Sequence, residues 1–169
     1  MEKKITSPVV KGLIISLILV VFGLIIYFTN QMQNKALGFV QYCVLIAGII
    51  WGCIQYSKEL HGDVTFGNVF AHGFKITAFV IVVMVIYFVL ASKLLFPDMI
   101  DKAIEEVRTS MEQKNTPDTQ IETVVNMTRK YFIPFGIGGI IIGFGIIGAI
   151  ASLVGAAVAK KNPQTPFNQ

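Results

Sequence analysis

Four long apolar segments dominate the pattern of hydrophobic and polar positions along the chain. They cover residues 9–29, 36–56, 74–96 and 131–159, and no charged side chain lies in their interiors. A helix rises 1.5 Å per residue, so each segment can cross a hydrocarbon core about 30 Å thick. Because a bilayer supplies no water to unpaired backbone groups, segments of this length must cross it as helices. The pattern predicts an all-α integral membrane four-helix bundle, with residues 1–169 forming a single membrane domain.

Residues 97–130, between the third and fourth segments, show a different pattern with one apolar position per helical turn. The first part has helical spacing and ends in a break at Lys114-Asn115, while Thr116-Pro117-Asp118 is a typical helix start. The apolar positions of the two parts are Ile100, Ile104, Val107, Met111, Ile121, Val124, Val125 and Phe132. We expect an antiparallel amphipathic hairpin that continues the third and fourth spans outward. It is either a stiff structural element or a docking surface for a partner.

The distribution of basic residues predicts the orientation of the spans. Lysines concentrate at three places that an even number of spans puts on one side, namely Lys3, Lys4 and Lys11, then Lys58 and Lys75, then Lys160 and Lys161. Basic residues in short loops favour the cytoplasmic side. We therefore expect a multi-pass protein of the bacterial inner membrane with both termini cytoplasmic, including the tail 160–169. The hairpin is then periplasmic. The first apolar segment is longer than a signal-peptide core and lacks a small-residue cleavage site, which favours a retained span.

The fourth span is rich in small residues at a spacing of four. Such residues let helix backbones approach closely and are typical of helix–helix interfaces in membranes. The predicted helix-packing or partner interface consists of Gly139, Gly143, Gly145, Gly148, Ser152 and Gly155. Three alternatives stay open for it: packing against the other spans of the same chain, association with another copy or another protein, and a glycine-lined pore.

Residues 57–75 contain the candidate metal-ligating side chains of the chain. Glu59, His61 and Asp63 alternate along the sequence, and His72 follows, but their spacing matches no zinc or calcium loop. We expect this segment to be a polar connection with an aromatic edge at the lipid headgroups, and we assign no role to His61 or His72. Cys43 and Cys53 are about 15 Å apart along one helix, too far for a mutual disulfide.

Composition excludes several classes of function. Only 14% of the residues are charged, and the net charge of +4 comes from basic residues at span ends, which does not indicate a nucleic-acid-binding surface. Ion-coupled transporters usually carry ionisable groups inside their spans, whereas the interiors of the four predicted spans contain no charged side chain. The chain also lacks a phosphate-binding loop, a nucleophile elbow and a paired His/Glu motif. We therefore predict no enzymatic activity, no catalytic or metal-binding residues and no cofactor.

Several motifs carry a resemblance to a known family. They are the opening Lys3-Lys4-Ile5-Thr6-Ser7-Pro8, the stretch Val64–Lys75, Phe96-Pro97-Asp98, and the glycine-rich last span ending at Ala159-Lys160-Lys161-Asn162-Pro163. On these the chain resembles the four-span membrane proteins of unknown function called DUF4199, found mainly in Bacteroidota. The resemblance implies an inner-membrane protein and supplies no activity. It also implies a candidate partner, a glycosyltransferase acting on polyprenyl phosphates.

Two hypotheses for the function follow. The first is a non-catalytic subunit or scaffold of a membrane complex, whose partners are membrane lipids and another membrane protein or a second copy. The second is a small oligomeric channel or transporter built around the glycine-rich fourth span. Lipid handling at the bilayer midplane is a third, weaker option.

Overall fold

All of the regular secondary structure in the described residues is helical. The computed structural model describes residues 5–31 and 34–160. The α-helices are α1 (Pro8–Phe28), α2 (Lys35–Glu59), α3 (Phe66–Leu90), α4 (Met99–Glu112) and α5 (Asp118–Val158), and a π-helix (Ala91–Leu95) follows α3. Four helical segments are long and apolar enough to cross a membrane: Pro8–Phe28, Ala36–Glu59, Phe66–Leu95 and Asp118–Val158. The predicted all-α, four-span fold class is confirmed.

Local capping explains where the first two helices begin and end. Ser7 caps α1 by accepting a hydrogen bond from the Val10 N–H, and Pro8 occupies the first turn, where its missing N–H costs nothing. Asn34 caps α2 in the same way through the Ala36 N–H. At the other end of α2, His61 takes a left-handed conformation with φ 53°. The helix therefore stops abruptly, and only residues 60–65 separate it from α3.

The connection to the third span is shorter than the sequence pattern suggested. We expected a headgroup-level segment over residues 57–75 and a span beginning at 74, whereas α3 already begins at Phe66. Thr65 Oγ1 accepts a hydrogen bond from the Asn68 N–H at 3.2 Å, which is the signature of a helix N-cap. Val69 has no exposed surface. The alternation of apolar and polar residues there therefore belongs to a helix with one buried side.

The first compact unit comprises the described residues up to Val83 together with those from Ile142 to Lys160. Its core is aliphatic, with Leu19, Leu45, Ile49, Ile76 and Val80 all fully buried. Glycines bring the helices close together. A Cβ added at Gly48 would lie 2.8 Å from Ile15, so α1 packs directly on the backbone of α2.

The second compact unit is Met84–Ile141. Its core contains Ile104 of α4 with Ile121 and Val125 of α5, and Ile100 and Met111 pack against them. These residues are members of the two apolar faces recognised in the sequence. The helix α5 runs without a break through Pro134, so the second hairpin helix and the fourth span are one element. The periplasmic location of this unit stays a prediction.

Candidate functional site

A buried ion pair joins the beginning of α1 to the end of α2. Lys11 has no exposed surface, although it lies in the second turn of an otherwise apolar helix. Its Nζ donates a hydrogen bond to Glu59 Oε2 at 3.2 Å and lies 3.5 Å from the carbonyl oxygen of Gly52. The sequence pattern predicts that Lys11 flanks the first span and that Glu59 belongs to the loop after the second. The structure instead places both inside the helical bundle.

Glu59 also binds the chain just before α1. Its Oε2 accepts a hydrogen bond from the Thr6 N–H at 3.1 Å, so one carboxylate oxygen receives donors from a side chain and from the backbone. A negative charge near a helix N-terminus is favourable because the unpaired N–H groups there carry partial positive charge. Glu59 thus stabilises both the charge of Lys11 and the start of the helix that carries it.

Tyr56 and His72 extend the ion pair towards α3. The Lys11 Nζ lies 5.9 Å from the centroid of the Tyr56 ring, within the range of a cation–π contact. The His72 imidazole stacks on the Tyr56 ring, with the two ring centroids 4.0 Å apart. His72 is 5% exposed, and its Nε2 has no hydrogen-bond partner. We name Lys11, Tyr56, Glu59 and His72 the polar cluster.

Small residues allow three helices to meet beside the polar cluster. A Cβ added at Gly73 of α3 would lie 2.6 Å from Cys53 Sγ on α2 and 2.9 Å from Ser152 Oγ on α5. One added at Gly155 of α5 would lie 2.8 Å from Cys53. Larger side chains at these glycines would separate the helices. The sequence therefore positions the cluster through backbone contact as well as through charge.

The chemistry available to the polar cluster is the holding of charge within a bundle of low polarity. Buried opposite charges must stay paired, because each carries a desolvation cost of several kcal/mol that only its partner offsets. The orphaned Nε2 of His72 retains the capacity for one further hydrogen bond. In the part of the chain that the structure describes, no three His, Cys, Asp or Glu side chains form a group able to hold a metal ion.

The predicted interface residues of the fourth span fall into three environments. Gly148, Ser152 and Gly155 are buried inside the first unit, where Gly148 faces Thr77 and Gly155 faces Cys53. Gly143 and Gly145 are half-buried, and a Cβ at Gly143 would lie 3.3 Å from Tyr42 Oη. These residues therefore take part in packing within the chain.

Gly139 differs from the other five predicted interface residues. It is exposed, and a Cβ added to it would meet nothing within 4 Å, as would one added to its neighbour Gly138. Phe135, one turn away on the same helix, is 66% exposed. We name Phe135, Gly138 and Gly139 the open face of α5. A partner interface at this face stays a prediction.

The sequence reasoning missed the polar cluster, although one signal for it was present. A lysine in the second turn of a 21-residue apolar helix needs either water or an acidic partner. On the same predicted side of the membrane, Glu59 follows immediately after an apolar span. Pairing these two positions was possible in principle, but His72 carries no comparable signal because its burial depends on where α3 begins.

The fold and the site together define a class, namely a multi-pass helical membrane protein with a buried ion pair between two of its spans. The chain belongs to the DUF4199 family of proteins of unknown function, whose family model matches residues 11–161. The matched region begins at Lys11 and includes the whole polar cluster. No curated protein and no solved structure matches the sequence.

Proposed function

We propose that the protein is a non-catalytic subunit or scaffold of a complex in the bacterial inner membrane, with both termini in the cytoplasm. The observation that carries the proposal is the open face of α5. Gly138 and Gly139 lie on a membrane-crossing helix, yet a Cβ added at either would meet no atom of the described chain within 4 Å. A second membrane helix docking on this face would account for them.

Glycine lowers the stability of the helix that contains it. A glycine inside a helix is less favourable than alanine by about 1 kcal/mol, so it is retained where its small size is used. Gly48, Gly73, Gly148 and Gly155 each face a close side chain of a neighbouring helix, which gives their size a use within the chain. Gly138 and Gly139 lack such a neighbour, as does Gly38 of α2. Unlike Gly38, they are adjacent to each other on the helix with the recurring small residues, and small residues are the preferred contact points between membrane helices.

The partner proposed for the open face is another integral membrane protein. Its surroundings are apolar, since Phe135 lies one helical turn from both glycines, and an apolar membrane helix fits this chemistry better than a soluble protein. The family resemblance suggests a glycosyltransferase acting on polyprenyl phosphates as the first candidate. A second copy of this chain is the other candidate.

An oligomeric channel built around the fourth span is the second candidate function. A glycine-lined pore would need the small residues of α5 to face other copies. Gly148, Ser152 and Gly155 are instead buried against α2 and α3 of the same chain. Solute flux in liposomes that contain only the purified protein would favour the channel over the subunit.

Leucine substitutions at two open glycines test the proposal. Gly139→Leu fills the open face, whereas the control Gly38→Leu adds the same side chain at a glycine of α2 that also has nothing within 4 Å. We expect tagged wild-type protein and Gly38→Leu to recover the same membrane protein from mild detergent, and Gly139→Leu to lose it. Mass spectrometry of the recovered complexes measures the ratio of partner to bait.

Equal recovery of that partner by Gly139→Leu and by the wild type would overturn the proposed role of the open face. Gly148→Leu is unsuitable for this purpose because its side chain would overlap Thr77 within the chain. The thermal unfolding of both glycine variants should match that of the wild type, which separates a lost contact from a lost fold.

A further inference from the structure

A cavity between the ends of α2 and α5 has the chemistry of an anion site. Its volume is about 370 Å³, and its lining includes Lys58 and His61 at the end of α2 and Lys160 just after α5. The Ser57 hydroxyl donates a hydrogen bond to the backbone carbonyl of Lys160, which joins the two chain segments that form the cavity. Ligand cavities typically fall between roughly 300 and 1,000 Å³, so a headgroup-sized molecule fits.

The charge of the cavity is one-sided. Among the described residues, its titratable lining consists of Lys58, His61 and Lys160, with no acidic side chain. Glu59 follows Lys58 in the sequence, but its carboxylate is engaged by Lys11 and the Thr6 N–H. The lysine charges therefore act on a ligand without a neutralising carboxylate among the lining residues.

The C-termini of α2 and α5 carry partial negative charge, which opposes the binding of an anion in the cavity. The size of this charge must be compared with that of the lysines. A helix C-terminus corresponds to roughly half a negative elementary charge, whereas each lysine contributes a full positive one. At α2 the carbonyls of Tyr56, Ser57 and Lys58 already accept hydrogen bonds from the N–H groups of Leu60, Gly62 and His61. The balance in the cavity stays positive.

The apolar walls of the cavity indicate that the bound anion is the headgroup of a lipid. Ile54 and Val158 line it on the side of the apolar spans, and both spans end at this level, at Glu59 and Val158. A free anion makes no use of apolar walls, whereas the glycerol and acyl part of a lipid does. Basic pockets between membrane helices are known to bind anionic headgroups.

We propose that this cavity binds the phosphate group of an anionic phospholipid, with Lys58 and Lys160 contacting the phosphate and Ile54 and Val158 contacting the lipid body. The site is independent of the open face of α5, so it stands or fails separately from the proposed function.

Native mass spectrometry of the full chain in detergent tests the proposal. The probes are phosphatidylglycerol, phosphatidylcholine with the same acyl chains, and inorganic phosphate. We expect one tightly retained phosphatidylglycerol, weaker retention of phosphatidylcholine and none of inorganic phosphate. Each basic contact to an anionic lipid contributes a factor of about five to six in affinity, so Lys58→Gln/Lys160→Gln should weaken retention about thirtyfold.

Two control variants distinguish a site from general attraction. Lys58→Arg/Lys160→Arg keeps the charge and should retain phosphatidylglycerol, and Lys75→Gln removes one charge from α3 outside the cavity lining and should not affect it. Equal retention of both lipids, or an equal loss in Lys75→Gln, would overturn the proposal. Displacement of the lipid by inorganic phosphate would assign the cavity to a free anion and overturn the lipid as its carrier.

Discussion

Two ion pairs of similar geometry lie in very different surroundings, one in each compact unit. Lys11 and Glu59 approach to 3.2 Å, and their side chains are 1% and 11% exposed. Arg129 and Asp101 approach to 3.5 Å in the second unit, and their side chains are 66% and 75% exposed. Each pair connects two helices. The comparison isolates burial as the variable that decides what such a pair contributes.

Burial determines how much stability is lost when one partner of an ion pair is removed. An exposed pair exchanges its partner for water, so its net contribution is about 0–1 kcal/mol. A buried charge that loses its partner cannot be hydrated, so removing the partner lowers the free energy of unfolding by about 3–5 kcal/mol. The second unit can therefore tolerate changes of charge that the first unit cannot.

The substitution Glu59→Gln should produce the largest effect. Glutamine keeps an oxygen acceptor for the Lys11 Nζ and the Thr6 N–H but removes the negative charge, so a buried ammonium group is left unpaired. We expect the free energy of unfolding to fall by about 3–5 kcal/mol. Unfolding of the purified protein by SDS in mixed micelles measures the change.

The double variant Lys11→Met/Glu59→Gln is the matched control, because it removes both charges at once. It should recover more than half of the loss, since replacing a whole buried pair is often nearly neutral. A loss for Glu59→Gln no greater than that for Asp101→Asn would contradict the role given to burial.

How far the sequence predicted this molecule depends on the range of the interactions involved. Local periodicity, which the sequence displays directly, predicts the four spans and the two hairpin helices. It also predicts the apolar helix faces that contain Ile104, Ile121 and Val125. The pairing of Lys11 with Glu59 joins positions 48 residues apart, and it depends on how α1 packs on α2. Periodicity contains no information about that register.

The small residues of the fourth span also differ in whether they contact another helix of the chain. Spacing alone recognised Gly139 and Gly155 as members of one small-residue pattern. Only the packed structure shows that Gly155 is used against Cys53 while Gly139 has no neighbour within the described chain. A pattern of small residues predicts that helices come close, but it does not identify which helix comes.

The substitution His72→Phe should have a smaller effect than Glu59→Gln, and of opposite sign. Phenylalanine preserves the stack on Tyr56 and removes the orphaned Nε2, whose burial without a hydrogen bond is costly. A buried unsatisfied polar group costs about 1–3 kcal/mol, so the free energy of unfolding should stay constant or rise by about 1 kcal/mol. SDS unfolding again provides the measurement.

A comparison with His72→Leu separates the stacking contribution from that of the nitrogen. Leucine removes both the stack on Tyr56 and the nitrogen, so the His72→Leu variant should be less stable than the His72→Phe variant. If His72→Phe were instead strongly destabilising, Nε2 would have a partner in the membrane-embedded protein, and the polar cluster would reach beyond its four residues.

The substitution Arg129→Gln should have the smallest effect and provides the sharpest check of the comparison. The side chains of Arg129 and Asp101 are mostly exposed. The packing of α4 against α5 rests instead on the buried residues Ile104, Ile121 and Val125. We expect the free energy of unfolding to change by less than about 1 kcal/mol. The change should shrink further as salt is raised, because charges at the surface are screened over about 8 Å at physiological ionic strength. A salt-independent loss as large as that of Glu59→Gln would mean that burial does not explain the difference between the two pairs.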